Sequence, residues 1–115
     1  MALATTQTNV GAEAAHYAWG TRTGTRTAAD FTVTLGFQPK KIRVVNLTDR
    51  VEAVHYVQSA LGTSNVESLL TVAAGTRTYA DAGITLTTDG LGFTVDVSDA
   101  SLETDDDDVL WEAWG

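Results

Sequence analysis

The residues best suited to chemistry lie in the run Glu103-Thr104-Asp105-Asp106-Asp107-Asp108. Clustered carboxylates are the usual ligands of hard cations such as calcium, which takes roughly six to eight oxygens. An EF-hand loop also needs a glycine at its sixth position and a glutamate at its twelfth, and neither spacing occurs here. The run is therefore read as a solvated turn between two strands that contributes charge for solubility, with no metal assigned to it. His16 and His55 are the only histidines. His55 falls in a strand-like stretch beside Glu52 and Tyr56, where a triad with a serine and an aspartate can be imagined. Yet the chain has no G-x-S-x-G elbow, no H-E-x-x-H and no cysteine nucleophile. Both histidines are read as surface or interface residues, and the protein as one without catalytic residues or cofactor.

The aromatic residues carry a different signal. Trp111 and Trp114 are three apart in a strand-like segment and so face opposite ways, one towards a core and one away from it. Tyr17 and Trp19 stand in a stretch otherwise made of small residues, where little else can bury them. Aromatic side chains with nothing to cover them are typical interface anchors. They also form platforms on which sugars stack, the competing reading. Arg22 and Arg26 follow in the same stretch and are candidates for pairing with acids on a partner protein. Tyr17, Trp19, Arg22, Arg26 and Trp114 are thus the candidate interface residues.

Net charge narrows the choice of partner. Fifteen acids against seven bases leave a formal charge of −8. Nucleic-acid binding rests on Lys and Arg neutralising phosphates, and docking on an anionic membrane needs the same cations. Neither partner fits this chain. Four of the seven cations cluster at Lys40, Lys41, Arg43 and Arg50, opposite an acidic C-terminal third. That polarity suits the packing of identical subunits steered by opposite charges. No cysteine is present to form a disulfide or a thiolate metal site. The opening residues Met1 to Ala15 lack the basic and apolar regions of a secretory signal. No apolar run approaches the roughly 20 residues of a membrane helix, so a soluble protein made in the cytoplasm is expected.

The elements that must position these residues read as β almost throughout. Thr, the most frequent residue, and Val favour strands, while Gly marks the turns. Phe31, Val33 and Leu35 alternate with Asp30, Thr32 and Thr34. In Lys41 to Leu47, Ile42 and Val44 point one way with Asn46 in phase, and Val45 and Leu47 point the other. That strand is expected to be central and covered on both sides, with Val51 to Val57 as its hairpin partner. Ser64-Asn65-Val66-Glu67 fits a capping box before Leu69, Leu70 and Val72. Residues 58–74 are accordingly read as a short helical turn, with a loop leading into a strand as the alternative. Ile84 to Thr87, Phe93 to Val97 and Val109 to Trp114 complete about seven strands at the spacing of a sandwich or barrel. The first 29 residues have no bulky alternation and are read as an extended N-terminal arm. The expected organisation is an arm over 1–29 and an all-β, antiparallel β-sandwich or barrel-like domain over 30–115.

Three segments carry a family resemblance: Thr34-Leu35-Gly36-Phe37-Gln38-Pro39-Lys40-Lys41-Ile42-Arg43-Val44-Val45-Asn46-Leu47-Thr48, then Ala74-Gly75-Thr76-Arg77-Thr78, and lastly Gly92-Phe93-Thr94-Val95 with Leu110-Trp111-Glu112-Ala113. Over roughly residues 30–114 they resemble the small virion structural proteins of tailed phages, and most of all head decoration (cement) proteins. The resemblance implies a β-rich protein, trimeric, on the outer surface of a capsid, clamping neighbouring major capsid proteins. It implies no chemical site. A tail or fibre component, or a receptor-binding module for cell-surface carbohydrate, is the alternative. On this reading, deleting residues 1–29 should leave the domain folded and weaken its attachment.

Overall fold

Alternation of Thr with Val, Ile, Leu and aromatic residues produces nine strands among the residues that the computed structural model describes, which are 16–57, 68–71, 75, 77–80, 83–97 and 102–115. In chain order they are β1 (Tyr17–Arg22), β2 (Phe31–Thr34), β3 (Lys41–Asn46), β4 (Val51–Tyr56), β5 (Ser68–Thr71), β6 (Arg77–Ala80), β7 (Ile84–Leu86), β8 (Gly92–Val95) and β9 (Val109–Trp114). Six strands form one sheet in the order β1-β9-β3-β4-β5-β6, and three form a second in the order β2-β8-β7. Every pairing is antiparallel. This is the expected all-β, sandwich-like fold. β9 lies between β1 and β3, so segments far apart in sequence are neighbours in the sheet.

The core lies between the two sheets. The period of two sends Ile42, Val44, Ala53, Val109 and Ala113 inward from the larger sheet, all fully buried. Phe93, Val95 and Ile84 meet them from the smaller sheet. Trp111 packs edge-on against Phe93, with centroids 5.7 Å apart and planes at 71°, the arrangement ring quadrupoles prefer. β3 is central, as its sequence indicates. Both of its faces are covered along part of its length: Val45, opposite in phase to Ile42 and Val44, is only 9% exposed, whereas Leu47 falls in the hairpin turn after the strand and is 54% exposed.

Asn46 explains why a polar residue shares the core phase. It is fully buried at the end of β3. Its Oδ1 accepts the backbone N–H groups of Thr48 and Asp49 at 3.0 and 2.9 Å, shaping the β3–β4 turn. Its Nδ2 donates to Asp107 at 2.7 Å. One side chain thus fixes a hairpin and ties it to the acidic turn before β9.

Two expectations are corrected. Residues 17–22 of the anticipated arm are an edge strand of the main sheet, registered from Tyr17 opposite Trp114 to Arg22 opposite Val109. No bulky residue was needed on its inner face, because β9 supplies the volume. A Cβ on Gly20 would stand 2.6 Å from the Trp111 ring, so glycine is what lets that indole lie against β1. The part of the arm over residues 1–15 lies outside the described residues. The second correction concerns the helical turn. Ser68–Thr71 is strand β5, paired with β4 and β6, because its backbone groups complete the ladder between those two strands. The capping box over 64–67 lies outside the described residues.

Candidate interaction face

The outward side of the six-stranded sheet gathers the exposed aromatics. Strand register aligns Tyr17 with Trp114, Trp114 with Lys41 and Lys41 with Tyr56, a row that crosses β1, β9, β3 and β4. The Tyr17 and Trp114 rings lie 5.4 Å apart. Lys41 Nζ sits 4.7 Å from the Trp114 centroid and 5.8 Å from that of Tyr56, a cation held between two π faces. The next row runs from Trp19 through Glu112 and Arg43 to Val54. Trp19 is 62% exposed, Tyr17 50% and Tyr56 44%. Three of the candidate interface residues, Tyr17, Trp19 and Trp114, therefore share one surface. Lys41 and Tyr56 belong to it and were missed. The strand phase of β3 and β4 was legible, but only the β9–β3–β4 pairing reveals that these residues neighbour Trp114.

Ion pairs make this surface rigid. Arg43 bridges Glu52 at 2.6 Å and Glu112 at 2.8 Å, linking three strands. Burial alone would lower the Arg43 pKa, but the bonds to Glu112 and Glu52 outweigh it and raise it. Tyr17 Oη donates to Glu112 at 2.7 Å. That bond raises the Tyr17 pKa, and together with Arg43 it holds the Glu112 carboxyl below its ordinary range. The rings consequently stand on a fixed, charge-compensated sheet.

Arg22 and Arg26 lie off this face. Both turn inward onto Glu103 of their own chain. Arg22 Nε and Arg26 Nη2 each donate to it at 2.8 Å, and the Glu103 side chain is completely buried. Burial pushes that carboxyl up, yet the two guanidiniums overcome the effect and lower its pKa. Arg26 also donates to the Asp107 carbonyl. In return, Asp105 and Asp106 accept the backbone N–H groups of Ala28 and Arg26, each at 2.7 Å. The acidic run is thus a latch over residues 22–29 as well as a source of charge.

Asp107 is the one aspartate of the run that is buried, where the sequence suggested a solvated turn throughout. Burial opposes its charge, but hydrogen bonds from Thr104 and Asn46 lower its pKa to about 2. Among the described residues no group of His, Asp and Glu is arranged to hold a metal ion.

The histidines also find places. His55 faces the interior from β4 and is 7% exposed, so it is not a surface residue. His16 is exposed and stacks on Phe37, with centroids 5.0 Å apart. No family model, curated protein or solved structure matches the chain.

Proposed function

We propose that this chain is a non-enzymatic structural protein of a tailed-phage particle. In this reading it is a head decoration protein that oligomerises, as a trimer, and binds the outer surface of the capsid. The observation that carries the reading is the aromatic surface on which Tyr17, Trp19 and Tyr56 are exposed and Trp114 is half-buried between Tyr17 and Lys41. Magnitudes favour a lattice over a single partner. Half-exposed aromatic rings leave roughly 300 Å² to cover, from about 150–250 Å² per residue. At about 25 cal/mol per Å² this gives about 7 kcal/mol, within the range that association itself costs. One such contact is weak, and many on a capsid are strong through avidity. The major capsid protein and sister chains are the partners, with no cofactor needed.

The test is attachment to capsids that lack the protein. Trp19→Ala with Tyr56→Ala should leave folding intact and reduce binding at least tenfold, read by co-sedimentation with empty heads. Undiminished binding by the double variant sinks the proposal. A second reading has its own support, because exposed rings beside Arg43 and Glu112 also suit a sugar, which stacks on aromatics and hydrogen-bonds to charged groups. Binding to host cells or glycans, without binding to capsids, selects that alternative.

A further inference from the structure

Most cations of this acidic chain are already engaged. Arg22 and Arg26 hold Glu103, Arg43 holds Glu52 and Glu112, and Lys41 lies over Trp114 and Tyr56. Lys40, Arg50 and Arg77 have no ion pair among the described residues, and of the three only Arg50 and Arg77 are exposed. They line one shallow depression of about 260 Å³, together with Val45, Leu47, Glu52 and Thr71. Register explains the position of Arg77, since Glu52 pairs with Thr71 and Thr71 with Arg77 across β4, β5 and β6.

The acids nearest in sequence and register are occupied. Glu52 is drawn to Arg43. Asp49 accepts from Asn46 Nδ2 at 3.3 Å and from Thr104 Oγ1 at 3.2 Å. Arg50 also has a left-handed backbone, φ 58°, which glycine or asparagine adopts at lower cost. Arg50 and Arg77 both line this depression, and the planar fork of arginine matches carboxylates.

The same chain presents the complement. Asp108 is exposed, and its carboxylate has no hydrogen bond or ion pair among the described residues. It sits in the acidic turn, whose backbone accepts from Leu47 at 2.8 Å. A chain of formal charge −8 repels its copies at long range. Specific contacts between opposite charges must offset that repulsion when copies associate.

We infer that the Arg50–Arg77 depression receives the acidic turn of a second copy of this chain, with Asp108 as the principal carboxylate. This deepens the self-assembly part of the proposed function and rests on it. The contact is electrostatic and distinct from the aromatic row, so salt separates them. Raising salt from 0.1 to 1 M shortens the screening length from about 10 to about 3 Å, which weakens ion pairing and spares apolar contact.

Charge exchange tests the inference on the full chain. Arg50→Glu with Arg77→Glu places like charge against Asp108 of the neighbour, and Asp108→Lys places like charge against the two arginines. Sedimentation velocity at low salt should show each variant self-associating at least tenfold more weakly than the parent. An equimolar mixture of the two should regain association, because every depression then meets the opposite sign. All three altered residues are exposed, and unchanged thermal midpoints verify folding. Variants that associate like the parent, a mixture that fails to recover, or a parent that stays monomeric at every concentration would each overturn the inference. Capsid binding by the Trp19 and Tyr56 variant is scored separately, so failure of this contact leaves the aromatic surface to stand or fall alone.

Discussion

Replacing Glu103 with alanine tests how the segment after β1 is held. The mutation removes the acceptor for Arg22 Nε at 2.8 Å, Arg22 Nη2 at 3.2 Å, Arg26 Nη2 at 2.8 Å and Ala29 N at 3.4 Å. Removing one partner of a buried ion pair costs roughly 3–5 kcal/mol, because the remaining charge is stranded. The arginine side chains here keep 27% and 18% exposure, so water recovers part of that loss. The expected destabilisation is about 2–3 kcal/mol, which for a domain of this size lowers Tm by about 10 °C. Urea unfolding followed by tryptophan fluorescence measures it, with Asp108→Asn as an exposed control expected within about 0.5 kcal/mol of the parent. A triple variant, Arg22→Met, Arg26→Met and Glu103→Leu, should recover much of the loss, since apolar side chains can replace a buried ionic cluster at little cost. A loss below about 1 kcal/mol for Glu103→Ala would refute the reasoning, for it would mean the cluster is solvated and not a latch.

Other expectations follow from the same geometry. Asp107 has a folded pKa of about 2 against an ordinary 3.8, so its stabilisation is complete above pH 4 and disappears as pH falls towards 2. At about 1.4 kcal/mol per unit this amounts to about 2 kcal/mol. Asp107→Asn should flatten the acid limb of a stability–pH curve in that window. Gly20→Ala places a methyl 2.6 Å from the Trp111 ring. It should cost about 1–3 kcal/mol by overpacking, seen in urea midpoints and in the tryptophan emission. Truncation distinguishes β1 from an arm. Removal of residues 1–29 takes away β1 and both guanidiniums on Glu103, so cooperative unfolding should be lost in circular-dichroism melts.

The strand segments were legible because their periodicity is local. Phe31 to Thr34, Lys41 to Asn46 and Gly92 to Val95 each alternate apolar and polar residues within a few positions, and a pleated strand requires only that. The opposite facing of Trp111 and Trp114 follows from the same rule. The all-β class and the charge polarity needed nothing beyond composition and order.

What the tertiary structure alone decided involves residues far apart in sequence. β1 is packed because Trp111 fills the space above Gly20, and a strand with Ala18 and Gly20 on its inner face carries no local sign of burial. The partners of Arg22 and Arg26 lie some 80 positions away at Glu103, so nothing near them reveals that their charge is spent internally. The aromatic row exists because β9 enters the sheet between β1 and β3 and brings Trp114 beside Tyr17 and Lys41. Alternation specifies which way a side chain points from its strand. Pairing between strands specifies its neighbours, and that depends on backbone hydrogen bonds and core volume contributed by the whole chain.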